Sequence, residues 1–225
     1  MAGVRKKRFR PIIAGLILAA GESKRFGRPK ALAQFGSQTA LSLLVGAARA
    51  AKLDPLFVIV GHHAEDIREE CRSLGVRAVV NDEWKWGQLS SLQAGLRALS
   101  SSVQAVAMFL VDHPLVPEET IKQLIRSYKS DPSKVYRPVV GRKGGHPALF
   151  PRLFFDELLR LDPREKSARD VFFKPGRCVD LKVEDAGATL EFDTEEGYRG
   201  LQRIYGQKKS DKRQNARKEV SLFEE

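Results

Sequence analysis

Short, continuously apolar runs alternate along this chain with longer stretches in which apolar residues recur at helical spacing. Ile12–Leu18, Leu56–Val60, Val76–Val80, Ala105–Val111 and Val135–Val139 each read as a strand bounded by Gly, Pro, Asn or Asp. Between them, Ser90–Leu99 places Leu92, Leu96 and Leu99 on one helix face, and Glu118–Tyr128 follows Pro117, which suits a first helical turn. Runs without a polar face predict strands buried on both sides, and their alternation with helices predicts right-handed crossovers. The expected fold is therefore α/β, a three-layer, Rossmann-like, mostly parallel sheet. The expected organisation is a basic tail over 1–10, one domain over 11–206, and a charged, flexible tail over 207–225.

Ligands of such sheets bind beyond the carboxyl ends of the strands. The polar segments that follow the apolar runs are accordingly the candidate site: Ala19–Lys30, Gly61-His62-His63, Asn81-Asp82 and Asp112-His113-Pro114.

Composition narrows the classes. The 225 residues are 42% hydrophobic and 30% charged, which is ordinary globular usage. No apolar run reaches the roughly 18–20 residues of a membrane-crossing helix. Two cysteines, Cys71 and Cys178, exclude a disulfide framework and a Cys-rich zinc site, and reduced thiols point to the cytoplasm. The net charge of +11 suggests a nucleic-acid partner until it is located. Residues 1–10 hold five bases and no acid, and residues 203–225 hold seven bases against four acids. Of 39 bases and 28 acids, 27 and 24 then remain for residues 11–202, a surplus of only +3. The basicity belongs to the ends, and a nucleic-acid partner is not expected. Arg5 to Arg10 followed by the apolar run to Ala20 also has the form of a secretory signal. The segment that follows decides for a first strand.

That segment is Leu18-Ala19-Ala20-Gly21-Glu22-Ser23-Lys24-Arg25-Phe26-Gly27-Arg28-Pro29-Lys30. Nothing larger than a methyl projects where the strand ends, so backbone can approach a ligand. Gly21 and Gly27 let the loop curl its N–H groups toward an anion, and Arg25, Arg28 and Lys30 set cations where a polyphosphate would lie. It is not a Walker A loop, and no Gly-x-Gly-x-x-Gly occurs.

Here the sequence resembles the MobA-like nucleotidyltransferases, and within them the molybdenum cofactor cytidylyltransferases, which open with Leu-Ala-Ala-Gly-x-Ser-x-Arg-Met/Phe-Gly and a Lys shortly after. The resemblance implies nucleotide binding by Leu18, Ala19, Ala20, Gly21 and Lys30, with Arg25 and Lys30 serving catalysis. Asn81-Asp82-Glu83-Trp84-Lys85-Trp86-Gly87 and the following Ser90-Ser91 match the family's Asn-x-x-Trp-x-x-Gly and Ser-rich helix start. Asn81, Gly87, Ser90 and Ser91 are thus further nucleotide-binding candidates, and Ser90 or Ser91 is expected to cap the helix, a role that a purely structural helix would share. Asp112-His113-Pro114 matches the family's Asp-x-Pro, which implies that Asp112 is a catalytic metal ligand; read alone, it is a turn opened by Asp and closed by Pro. Glu191-Phe192-Asp193-Thr194-Glu195 resembles a late Asp-x-Asp-Thr-Pro and implies Asp193 as the second metal carboxylate. Gly145, His146 and Pro147 resemble the family's acceptor-side Gly-x-Pro. One departure bears on the acceptor: where the family shows Gly-Asp-x-Gly-Ala-Arg, this chain has Arg164-Glu165-Lys166-Ser167-Ala168-Arg169.

The resemblance implies transfer of CMP from CTP to molybdopterin-type molybdenum cofactor with Mg²⁺, pyrophosphate release, and a recipient molybdoenzyme as partner. The residues also admit a cytidylyl- or uridylyltransferase acting on a sugar or polyol phosphate, or a non-catalytic nucleic-acid-binding or chaperone protein using the basic ends.

Overall fold

A computed structural model describes residues 11–221. The basic tail expected over 1–10 lies outside the described residues. In chain order the elements are β1 (Ile13–Ala19), the hairpin β2 (Gln34–Phe35) and β3 (Gln38–Thr39), α1 (Ala40–Ala50), β4 (Leu56–Val60), α2 (Ala64–Ser73), β5 (Arg77–Val80), α3 (Gln88–Arg97), β6 (Ala105–Leu110), α4 (Glu118–Ser130), β7 (Val135–Val140), β8 (Lys143–Gly144), β9 (Ala148–Pro151), α5 (Phe155–Arg160), α6 (Arg169–Phe172), β10 (Cys178–Lys182) and α7 (Glu195–Ser221).

The main sheet runs β10-β7-β9-β6-β1-β4-β5, with β8 paired to β7. β1 lies at its centre because all seven of its residues are apolar or glycine and all are buried. It pairs in parallel with β4 from Gly15↔Leu56 to Ala19↔Val60, and with β6 from Ile13↔Ala105 to Leu18↔Leu110. The strand alternation sorts its side chains into the two outer layers. Ile13, Ile17 and Ala19 face the layer with Leu41, Leu44, Ile121 and Leu124 of α1 and α4, whereas Leu16 and Leu18 face Leu89, Leu92 and Leu96 of α3. α1 begins where Thr39 accepts the Ser42 N–H, and Leu41, Leu44, Val45 and Ala48 form its buried stripe.

The three-layer, mostly parallel α/β sheet is as expected, with particular differences. β9 runs antiparallel to both β6 and β7. β5 is an edge strand with no fully buried residue, although three of its four residues are apolar. The helix expected from Ser90 starts at Gln88, and Pro117 precedes the first turn of α4 as its cap. α7 passes residue 207, where the charged tail was expected to begin, and runs to Ser221; residues 222–225 of that tail lie outside the described residues. No helix among the described residues is long and apolar enough to cross a membrane.

A third apolar cluster closes the ligand edge. Phe26, Phe35, Phe192 and Tyr198 meet edge to face or tilted, with ring centroids 5.1–6.1 Å apart. It fastens the loop after β1 and the start of α7 to one another, beside the ends of β1 and β6.

Candidate active site

The loops that follow β1, β5 and β6 meet around a cavity of about 190 Å³. Leu18, Ala19, Ala20, Gly21, Lys30, Gly87, Ser91 and Asp112, all expected at a nucleotide or metal site, line it together with Trp84 and Gln88. The loop after β1 turns on itself through Ser23, whose carbonyl accepts the N–H groups of Phe26 and Gly27, and Gly27 takes the left-handed φ of +76° that this turn requires.

Asp112 and Asp193 come together because the backbone N–H of Phe192 donates to the Asp112 carbonyl at 3.1 Å. The Lys30 ammonium sits between the two carboxylates, 3.3 Å from Asp112 Oδ2 and 2.5 Å from Asp193 Oδ1, with its side chain only 11% exposed. Arg25 reaches the other Asp193 oxygen at 2.7 Å, and Arg28 reaches Glu195 at 2.9 Å. The Lys30 hydrogen bond, with the nearby Lys30 and Arg25 charges and against partial burial, holds the Asp193 carboxyl below its usual range. Arg25 does not line the cavity; its side chain is 71% exposed at the rim.

The donor set fits a divalent cation of a particular kind. Among the described residues no three His, Cys, Asp or Glu side chains are arranged to hold a metal ion. Two carboxylates suit Mg²⁺, which keeps waters and takes further oxygens from substrate phosphates. Asp112 Oδ1 is buried with no hydrogen-bond partner among the described residues, and a cation already lies between the two carboxylates in the form of Lys30.

Asn81 and Ser90 stand one layer behind the cavity wall. The Asn81 amide donates to Ser90 Oγ at 2.9 Å and Ser91 Oγ at 3.0 Å, and its carbonyl oxygen accepts the Glu83 N–H. Neither serine caps α3. Gly87 occupies the cap position with φ +86°, and Ser90 donates back to its carbonyl at 2.8 Å. The free N–H groups of the first turn of α3 therefore remain available, with the positive end of the helix dipole beside Trp84.

A second cavity of about 420 Å³ adjoins the first and shares Gly87 and Gln88 with it. Gly145 and His146 line it, as expected for the acceptor side; Pro147, joined by a cis peptide bond to His146, does not. Gly145 is also required by the fold, because a Cβ there would lie 2.2 Å from the Ala188 carbonyl oxygen. Trp86, Met108 and Phe172 supply apolar walls, and Arg137, Lys166 and Arg169 supply charge. The Arg137 guanidinium is held by both oxygens of Asp180, at 2.6 and 3.0 Å. Of these, Trp86, Lys166 and Arg169 lie in segments that the sequence singled out, whereas Met108, Arg137 and Phe172 carried no sequence signal.

His113 lines neither cavity but stands between Asp112 of the first and His146 of the second. Its ring is buried, with Nε2 3.2 Å from Glu191 and 3.9 Å from Asp112, and it lies 5.0 Å from the His146 ring. Burial pushes its imidazole below the usual range against the opposing pull of Asp112 and Glu191. Burial, reinforced by His113, takes His146 down to about 3. Both rings are neutral near pH 7. Glu191 in turn accepts from Lys143 of β8 at 3.0 Å. The sequence reading had no role for Glu191 beyond its place in a motif.

A family model described as the MobA-like NTP transferase domain matches residues 15–178. The chain belongs to this family. Among curated relatives, a nicotine blue oxidoreductase of Paenarthrobacter nicotinovorans is 31% identical over 125 residues, covering 53% of this chain and 58% of that protein. A probable molybdenum cofactor guanylyltransferase of Opitutus terrae is 30% identical over 133 residues, covering 57% and 62%. The chain thus spans about three-fifths of the length of these two relatives. Among solved structures, Rv0371c of Mycobacterium tuberculosis H37Rv superposes with a TM-score of 0.77 at 28% identity, covering 87% of this chain and 99% of that one. Its complex with manganese superposes at 0.72 and 26% identity, covering 87% and 100%.

In this MobA-like domain, the segment that departs from the family pattern forms part of the second cavity wall. Lys166, Ser167, Ala168 and Arg169 all line it, and Arg164 pairs with Asp162 while its guanidinium lies 5.6 Å from the centroid of the lining Trp86 ring.

Proposed function

We propose that this protein is a Mg²⁺-dependent nucleotidyltransferase that moves CMP from CTP to a molybdopterin-type molybdenum cofactor and releases pyrophosphate. The observation that supports it most is the pairing of cavities across Gly87 and Gln88. One carries the Lys30 loop and Asp112, and the other joins aromatic and apolar walls to Lys166 and Arg169. Nucleotidyl transfer needs a triphosphate and an anionic acceptor side by side, and an apolar wall suits a flat heterocycle better than a sugar. Ala19-Ala20-Gly21 favours CTP, since this strand end resembles the cytidylyl branch of the family, whereas the guanylyl branch typically has Leu-Ala-Gly-Gly there.

In this reading an acceptor phosphate oxygen attacks the α-phosphorus in line, and the bond to the leaving pyrophosphate breaks. Lys30, with Arg25 at the rim, offsets charge on the departing phosphates, and the first-turn N–H groups of α3 receive the polar edge of the nucleotide. A phosphate monoester, with a second pKa of about 6, is already ionised, so the neutral His113 and His146 need not act as bases. Asp112 and Asp193 would hold the cation, which when bound neutralises phosphate oxygens as a Lewis acid.

A panel of nucleoside triphosphates, each with molybdenum cofactor, with a sugar phosphate or with neither, read out as pyrophosphate, tests the assignment. Release with CTP and the cofactor is expected. Release with GTP alone would overturn the base assignment, and release with a sugar phosphate would overturn the acceptor.

A further inference from the structure

The loop after β1 brings three paired cations to the first cavity and its surroundings, Lys30 in the lining and Arg25 and Arg28 outside it, and each is already neutralised from within the chain. Lys30 holds Asp193 and Asp112, Arg25 holds Asp193, and Arg28 holds Glu195. Three bases thus face three acids, contributed by the end of β6 and the segment Asp193-Thr194-Glu195. We propose that this acidic segment is an internal competitor of the nucleotide: Asp193 and Glu195 occupy the phosphate-binding cations until a divalent metal takes Asp112 and Asp193, so that metal and nucleotide each bind weakly alone and tightly together. The proposal rests on the reading of the first cavity as a nucleotide site.

The physical argument is an exchange of partners. A triphosphate arriving without metal must displace carboxylates from the loop cations and leave two of them, Asp112 and Asp193, facing its own charge. A dication arriving without nucleotide must displace an ammonium that lies between its two ligands. When both arrive, carboxylates turn to the metal and cations turn to phosphate, and every charge keeps a partner. Two ligands that each remove an obstacle to the other are linked, and the linkage is reciprocal, by factors of roughly 5–150 in typical cases. The contributions are unequal. Lys30 is nearly buried and its pairs dominate, whereas Arg28 and Glu195 are about half exposed and worth a factor of about two to five.

The test is CTP binding by calorimetry, without acceptor, in EDTA and in Mg²⁺. Asp193→Asn removes both the competitor and a metal ligand, so its effect should change sign. Without metal the variant should bind CTP about tenfold tighter than wild type, and with Mg²⁺ it should bind more weakly. Glu195→Gln should tighten metal-free binding about two- to fivefold and leave Mn²⁺ affinity, read by electron paramagnetic resonance, unchanged. Glu196→Gln is the charge control, because it removes the same charge from an exposed residue of the first turn of α7 that holds no loop cation. Equal gains from Glu196→Gln and Asp193→Asn would make the effect a general field and overturn the competition. Metal-free binding unchanged in both Asp193→Asn and Glu195→Gln would also overturn it while leaving the nucleotide site standing. Absence of CTP binding to wild type under every condition would overturn the nucleotide site itself.

Discussion

Phe192 donates its backbone N–H to the carbonyl of Asp112 at 3.1 Å, while its ring is buried against Phe26 and Phe35. One residue thus fixes the distance between the end of β6 and the segment that carries Asp193. Phe192→Ala should lose about 3–5 kcal/mol of stability, since the ring is fully buried and its neighbours cannot close the gap. Phe192→Leu should lose less. Chemical denaturation measures both, and an alanine variant as stable as wild type would show that the cluster does not hold the site together.

Lys30→Ala should reduce turnover by about 10²-fold or more, the loss seen when one transition-state charge donor is removed. The protein should remain folded, because the two carboxylates it leaves behind are both partly open to solvent. Pyrophosphate release and circular dichroism on the same sample check the two halves of this expectation.

Asp112→Asn keeps the size of the side chain and the turn that follows β6, and replaces a carboxylate by a weaker Mg²⁺ ligand. Turnover should fall by at least 10²-fold, by comparison with single catalytic groups elsewhere, while the melting temperature stays near that of wild type. Normal turnover at limiting Mg²⁺ would remove Asp112 from the metal site.

Stability should decline as the pH falls below neutrality. His146, about 3 in the fold and 6.5 otherwise, stays neutral while the unfolded chain takes up a proton. The unfolded state binds more protons throughout that window, so stability is complete above pH 6.5 and is lost progressively toward pH 3. The slope is at most about 1.4 kcal/mol per pH unit for one proton. His113, lowered by the same cause, adds in the same direction. Melting temperatures from pH 7 to pH 4 should fall less steeply in His146→Gln than in wild type.

Deleting residues 1–10 removes five bases without touching the described domain. Heparin retention should drop and lose part of its salt dependence, with nucleotidyl transfer unchanged. Loss of transfer would give the N-terminal segment a part in the site.

Where sequence reading worked, the physics was local. β1 and β6 have no polar residue to misplace, and a carboxylate just past such a strand emerges at the ligand edge wherever the strand lies in the sheet. β9 and β10 carried no comparable signal. β9 has four residues and ends in Pro151, and Cys178–Lys182 is an edge strand whose half-exposed side chains leave little pattern. The second cavity depends on both, which is why Arg137 and Phe172 were not legible. The Ser90 and Ser91 cap was misread because a glycine with positive φ, Gly87, could take the position, freeing the serines to be held by Asn81. The approach of Asp193 to Asp112 was legible only by resemblance, since no local rule relates segments so distant in sequence.

Two residues belong to the walls of both cavities, and this limits how substrate preference can be altered. Gly87 and Gln88 face both sides. A change there would move the donor and acceptor preferences together, and a side chain at Gly87 would strain its left-handed backbone as well. Trp84 borders only the first cavity and Phe172 only the second. Separate redesign of either preference has to begin at positions of that kind, while the shared pair sets how the two halves of the reaction face one another.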